Sequence, residues 1–270
     1  MAAKKQGTLV VIGGHEDREG EMAILREVAR RVGSGPLVVT AVASEEPEGL
    51  FEEYEKAFRK LGVERVADLA IGERAEARTE EAARTVDEAA GVFFTGGDQL
   101  RITSQIGGTP VFHALRRLLE RGGVIAGTSA GASVVCSTMM VSGSGDESAR
   151  VGEVAKMAPG LGFLPGVIVD QHFAERGRMG RLLSAVAQNP ASLGVGIDED
   201  TAIVVEGNRF SALGAGAVYV LDGSTVTASN IAEAEAERPL SIFDVRLHVL
   251  SQGDEFDLGK RQAAKRPQDG

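Results

Sequence analysis

The chain has 270 residues, 43% of them hydrophobic and 25% charged, with a formal net charge of −10 and a sequence pI of about 5.1. That acidic balance excludes general nucleic-acid binding, which needs a basic footprint. The single cysteine, Cys136, excludes an internal disulfide, and no apolar run is long enough to span a bilayer.

Short β-branched runs alternate with longer helical patterns along the first two thirds of the chain. Two lysines open it, but the apolar run that follows is short, so 8–13 (TLVVIG) is expected as a first core strand rather than a secretion leader. A helix follows at 19–32, with Met22, Leu25, Val28 and Val32 at helical spacing. Next come a strand at 37–42 and a helix at 50–61. Strands at 66–71 and 91–96 bracket a helix near 80–89, and a helix at 110–120 leads into a strand at 123–128. This rhythm predicts an α/β fold: a mostly parallel, doubly wound sheet with helices on both faces. A further strand and helix are expected at 167–169 and 179–187. The runs TAIVVEG, RFSALG and GAVYVLDG then read as antiparallel strands appended to the sheet. No linker interrupts the pattern, so one domain is expected, with its core at 7–250 and a polar tail at 251–270, much of it mobile.

Gly127-Thr128-Ser129-Ala130-Gly131 fits G-x-S-x-G and stands between a predicted strand and a predicted helix, 130–137. In that motif the serine occupies a sharp, strained turn that only small neighbours allow, and its hydroxyl projects at the carboxyl end of the sheet. Amides at the start of the following helix can stabilise an oxyanion. A second loop, TGGDQLR (95–101), offers the Gly97 N–H as another donor, Asp98 as a helix cap, and Gln99 in or beside the same cleft.

A serine hydroxyl needs a group to take its proton. Of the four histidines, His248 and His113 read as structural or surface residues, while His15 follows the first strand and could line the cleft. His172, in the polar DQH cluster that ends an apolar strand, is the preferred base. An acid should orient it. Asp198, Glu199 and Asp200 are candidates, with Asp146 and Glu147 as competitors, and position alone does not separate them. Arg176, Arg178 and Arg181 follow the histidine and suit carboxylate recognition.

Together, IGGHEDR, TGGDQLR, GTSAGAS, VDQHFAERGRMGRLL and GIDEDTA, in that order, resemble the serine peptidase family of the cyanophycinases and aspartyl dipeptidases. The resemblance covers roughly 8–250. It implies a fold like the class I glutamine amidotransferases and a triad of Ser129, His172 and Glu199, with Gly97 and Ala130 as the oxyanion donors. It further implies a substrate pocket holding Gln99, Asp170, Gln171, Arg176, Arg178 and Arg181. The implied substrate is cyanophycin, a polyaspartate with arginine on each side chain, removed as β-Asp-Arg dipeptides from the chain end. A dipeptidase acting on small aspartyl or isoaspartyl peptides is the alternative. A cytoplasmic homodimer is expected, with no metal, cofactor, nucleic acid or membrane partner. Two features depart from the family pattern: His15 and Arg18 replace a small residue and a lysine, and 143–157 carries no tryptophan, a residue the whole chain lacks.

Overall fold

The computed structural model describes residues 7–142, 155–233 and 238–265. Its first half is the expected alternation: β1 (Thr8–Ile12), α1 (Ala23–Val32), β2 (Leu37–Thr40), α2 (Pro47–Lys60), β3 (Val66–Asp68), α3 (Glu80–Glu88), β4 (Gly91–Phe94), α4 (Gln99–Ile106), α5 (Pro110–Glu120) and β5 (Val124–Thr128). The strands pair in parallel in the order β1-β5-β4-β2-β3. Strands β1, β2, β4 and β5 are buried on both faces, and the two faces are covered by different helices. Val10, Ile12, Val39 and Phe93 pack against α1 and α2 through Leu25, Val28 and Phe58. Leu9, Val11, Val92 and Phe94 pack against α3, α4 and α5 through Val86, Ile102 and Leu115. Helix starts follow their caps: Thr79 and Thr109 accept from Ala82 and Phe112 amides, and Pro47 and Pro110 begin α2 and α5. Helix α1 starts later than its periodicity suggests. The Asp17 carboxylate accepts from the amides of Glu19, Gly20 and Met22 and holds those residues in a loop.

The second half contains α6 (Ala130–Ser133), β6 (Thr138–Ser142), β7 (Lys156–Pro159), β8 (Val167–Gln171), α7 (Met179–Gln188), β9 (Leu193–Ile197), β10 (Thr201–Glu206), β11 (Arg209–Gly214), β12 (Val218–Asp222), β13 (Arg246–Leu250), β14 (Glu255–Asp257) and β15 (Gln262–Ala264). Strands β10 and β11 extend the central sheet through antiparallel pairs, β10 with β1 and β11 with β10, as expected. The GAVYVLDG strand does not follow them. As β12 it joins β8, β9 and β13 in a second, four-stranded sheet, because its register pairs it with β9 and β13. That sheet turns Val169, Val195 and Val220 into the same core as the central sheet, and α7 covers its other side through Leu182 and Val186. Helix α6 is a single turn, shorter than 130–137, since the carbonyls of Val134 and Val135 bond instead to the amides of Leu161 and Leu164.

The end of the chain also differs from expectation. Strands β14 and β15 add to the edge of the central sheet beyond β11, where fully buried Phe256 stacks on Phe210. Among the described residues, no helix is long and apolar enough to cross a membrane. The candidate acids Asp146 and Glu147, most of the 143–157 segment and 266–270 lie outside the described residues.

Candidate active site

Three segments far apart in sequence meet at the end of β1. Three consecutive carbonyls there, of Ile12, Gly13 and Gly14, accept from the amides of Ser129, His172 and Asp200 at 3.1, 2.8 and 2.9 Å. The crowding explains the glycine pair. A Cβ on Gly13 would stand 2.0 Å from the Asp198 carbonyl oxygen, and one on Gly14 2.2 Å from the His172 ring.

The serine turn is as tight as its sequence demands. Ser129 has φ 52° and ψ −106°, a conformation that L residues seldom adopt. A Cβ on Gly127 would lie 2.3 Å from the Gly131 carbonyl oxygen, and one on Gly131 2.5 Å from that of Phe94. Both positions therefore need glycine. Ser129 Oγ lies 3.0 Å from His172 Nε2, and His172 Nδ1 lies 2.6 Å from Glu199 Oε1. The neighbouring acids have other partners. Asp198 accepts from the amides of Ala174 and Ala217, and Asp200 from that of Asp17. Of the three, Glu199 is the one that reaches the imidazole.

His172 is buried and also has a positive φ, 48°. Burial lowers its pKa below the ordinary 6.5. The Glu199 hydrogen bond opposes this, while the charges of Arg176 and His15 add to the lowering. The net effect favours the neutral ring that a proton acceptor needs. The one cysteine is no rival nucleophile: Cys136 is buried and its thiol is pushed up to about 12 by that burial.

Ser129 and His172 open onto a cavity of about 430 Å³, also lined by His15, Glu16, Arg18, Leu50, Tyr54, Gly96, Thr128 and Arg176. Gly97 follows Gly96, with φ 139° and its backbone pressed on Ala43, where a Cβ would be 2.1 Å from the carbonyl oxygen. Ala130 opens α6, so its amide has no acceptor within the helix.

The residues expected in a substrate pocket divide into two groups. Arg176 is exposed and lines the cavity. Asp170, Arg178 and Arg181 instead make a buried ion cluster, with Arg178 3.0 Å and Arg181 3.2 Å from the Asp170 carboxylate. Arg178 also donates to the Gln171 carbonyl and to its side-chain oxygen, both at 2.6 Å. Gln99 donates to the carbonyls of Met140 and Val141 in β6.

Sequence reasoning missed Glu16. It is buried in the cavity wall, accepting from Tyr54 at 2.5 Å and from Thr128 at 2.6 Å. Burial and the adjacent Glu16 charge raise the Tyr54 pKa well above 10, so the phenol keeps the proton it donates. Glu16 lies within IGGHEDR, the motif already singled out, whereas no spacing pointed to Tyr54 on α2. Among the described residues, His15, His172 and Glu199 are a group whose donor atoms could converge on a cation, all lying within 4.8 Å of one another.

The model of peptidase family S51 matches residues 9–213. The chain belongs to peptidase family S51. It is 42% identical over 257 residues to the cyanophycinase of Trichormus variabilis, covering 94% of this chain and 86% of that protein. It is 39% identical over 261 residues to the cyanophycinase of Synechococcus elongatus, covering 95% and 81%. In fold it resembles the crystal structure of a peptidase from an acI-B1 Actinobacterium, with a TM-score of 0.69 at 21% identity over 94% of this chain and 98% of the other. Like other members of S51, the chain is a serine peptidase.

Proposed function

We propose that the protein is an exopeptidase that degrades cyanophycin, releasing β-Asp-Arg dipeptides through an acyl-enzyme. Ser129 Oγ attacks the backbone carbonyl between two aspartyl units as His172 Nε2 takes its proton. Glu199 holds the Nδ1–H and stabilises the imidazolium. The amides of Gly97 and Ala130 donate to the oxyanion. On collapse the imidazolium gives its proton to the leaving amine, and water, activated by the neutral ring, then cleaves the ester. No step calls on a metal or cofactor.

The observation that carries this reading is the unbroken series from Ser129 through His172 to Glu199, at 3.0 and 2.6 Å. The cyanophycinase relatives supply the substrate. Arg176, exposed in the cavity wall, is assigned to a substrate carboxylate. Asp170, Gln171, Arg178 and Arg181 are assigned to fixing the segment that carries His172, since Arg178 and Arg181 pair with the Asp170 carboxylate, and Arg178 with Gln171, within the protein. The same reading takes the chain as one peptidase domain, acting in the cytoplasm as a homodimer. Sedimentation velocity tests the dimer.

The deciding experiment is mass analysis of what the wild type and Ser129→Ala release from purified cyanophycin. The wild type should yield β-Asp-Arg. The variant should yield nothing while keeping its circular dichroism and its binding to the polymer. Turnover by Ser129→Ala would refute the assignment of the nucleophile. Release of nothing from the polymer, with cleavage of Asp-X dipeptides, would favour the dipeptidase alternative.

A further inference from the structure

His15 has no part in the proton-transfer series, yet it is aimed at it. Its Nδ1 lies 3.6 Å from Glu199 Oε2, the carboxylate oxygen that His172 does not use. Its ring stands edge-on to His172, with centroids 5.1 Å apart and planes at 86°. Its backbone has φ 49°, and its side chain is 70% exposed. The result is two imidazoles and a carboxylate with donor atoms within 4.8 Å, open to solvent on one side.

We propose that His15, Glu199 and His172 form an inhibitory site for Zn²⁺. Nitrogen and carboxylate donors suit this ion, whereas Mg²⁺ and Ca²⁺ prefer oxygen alone. The spacing suits it too. Zinc bonds of about 2.0–2.2 Å at tetrahedral angles place neighbouring donors about 3.4 Å apart, and His15 Nδ1 and Glu199 Oε2 stand at 3.6 Å. The ion enters past exposed His15, takes these two donors, and draws in one nitrogen of His172. Both of those nitrogens are in use: Nε2 faces Ser129 and Nδ1 faces Glu199. Whichever one the metal takes, the hydroxyl loses either its proton acceptor or that acceptor's orienting partner. A solvent molecule completes the four-coordinate shell.

The inhibition rests on the triad reading above; the binding does not. The test therefore has two arms. In the first, zinc chloride is titrated calorimetrically into Ser129→Ala protein, which cannot turn over, and into the same protein carrying His15→Asn. Asparagine tolerates the positive φ that alanine would strain. The first protein should bind one zinc per chain. The second should bind it about tenfold or more weakly, with an unchanged unfolding temperature. In the second arm, cyanophycin hydrolysis is followed with zinc, with magnesium, and with zinc followed by a chelator. Zinc should suppress the wild type, the chelator should restore it, and magnesium should do nothing. His15→Asn should keep most of its own metal-free rate at zinc levels that silence the wild type. Absence of zinc binding, or equal binding with and without His15, would overturn the site. Binding that depends on His15 but leaves hydrolysis untouched would overturn the inhibition. A wild type inactive on cyanophycin without metal would count against the proposed function instead, and calorimetry would still judge the site.

Discussion

At the scale of single residues, the proposed triad turns on the protonation of His172. Its pKa is lowered, chiefly by burial, so the neutral form persists to lower pH than an ordinary histidine allows. A base must be neutral to work, so kcat/KM should fall as pH drops through this lowered value, placing the acid limb below 6.5. Arg176 contributes to the lowering through its charge. Arg176→Gln should therefore move the limb to higher pH, whatever it does to the size of kcat/KM. A pH profile of both proteins checks this, and a limb that stays put or moves down would contradict it. Ser129 and His172 were legible in the sequence because each is marked by composition: small residues that only a tight turn requires, and a polar triplet closing an apolar strand. Glu199 was not separable from Asp198 and Asp200 on spacing alone. Consecutive residues in a turn point in different directions, and sequence does not say which one faces the ring. The same ignorance of direction made Arg176, Arg178 and Arg181 look equivalent, whereas one lies in the cavity and two lie against Asp170.

At the scale of elements, that buried cluster ties the end of β8 to the turn and helix after it. Asp170 is wholly buried in β8, while Arg178 and Arg181 lie at the start of α7. Removing one arginine leaves a carboxylate short of a partner where water cannot replace it. Arg178→Met should cost about 3–5 kcal/mol in urea unfolding. Arg176→Met, on the surface, should stay within about 0.5 kcal/mol. Equal effects would show that the two arginines share one role after all. The long helices could be read from their periodicity; α3 and α5, capped by Thr79 and Thr109, lie close to their predicted spans, whereas α2 begins at Pro47, three residues before its predicted start. The start of α1 and the brevity of α6 were hidden, because each depends on partners distant from it: the Asp17 carboxylate in one case, the amides of Leu161 and Leu164 in the other.

At the scale of the whole molecule, one edge of the central sheet is finished by β14 and β15. Strands β14 and β15 bring Phe256 onto Phe210 and set Arg261 2.5 Å from the buried carboxylate of Asp222. Ending the chain after Leu250 should therefore lower stability by at least the about 3–5 kcal/mol that a lost core phenylalanine costs. A dangling tail could be removed with no change in the urea midpoint. The segment read as polar because its strands are only three residues long, too short for alternation to register, and one phenylalanine anchors them.

The convergence on Ile12, Gly13 and Gly14 has a consequence for how the molecule opens. If β1 loosens at that end, the amides of residues 129, 172 and 200 lose their acceptors in one event, although more than seventy positions separate the first from the last. Deuterium should then enter all three at a common rate. Widely different rates would mean that the three segments come loose independently.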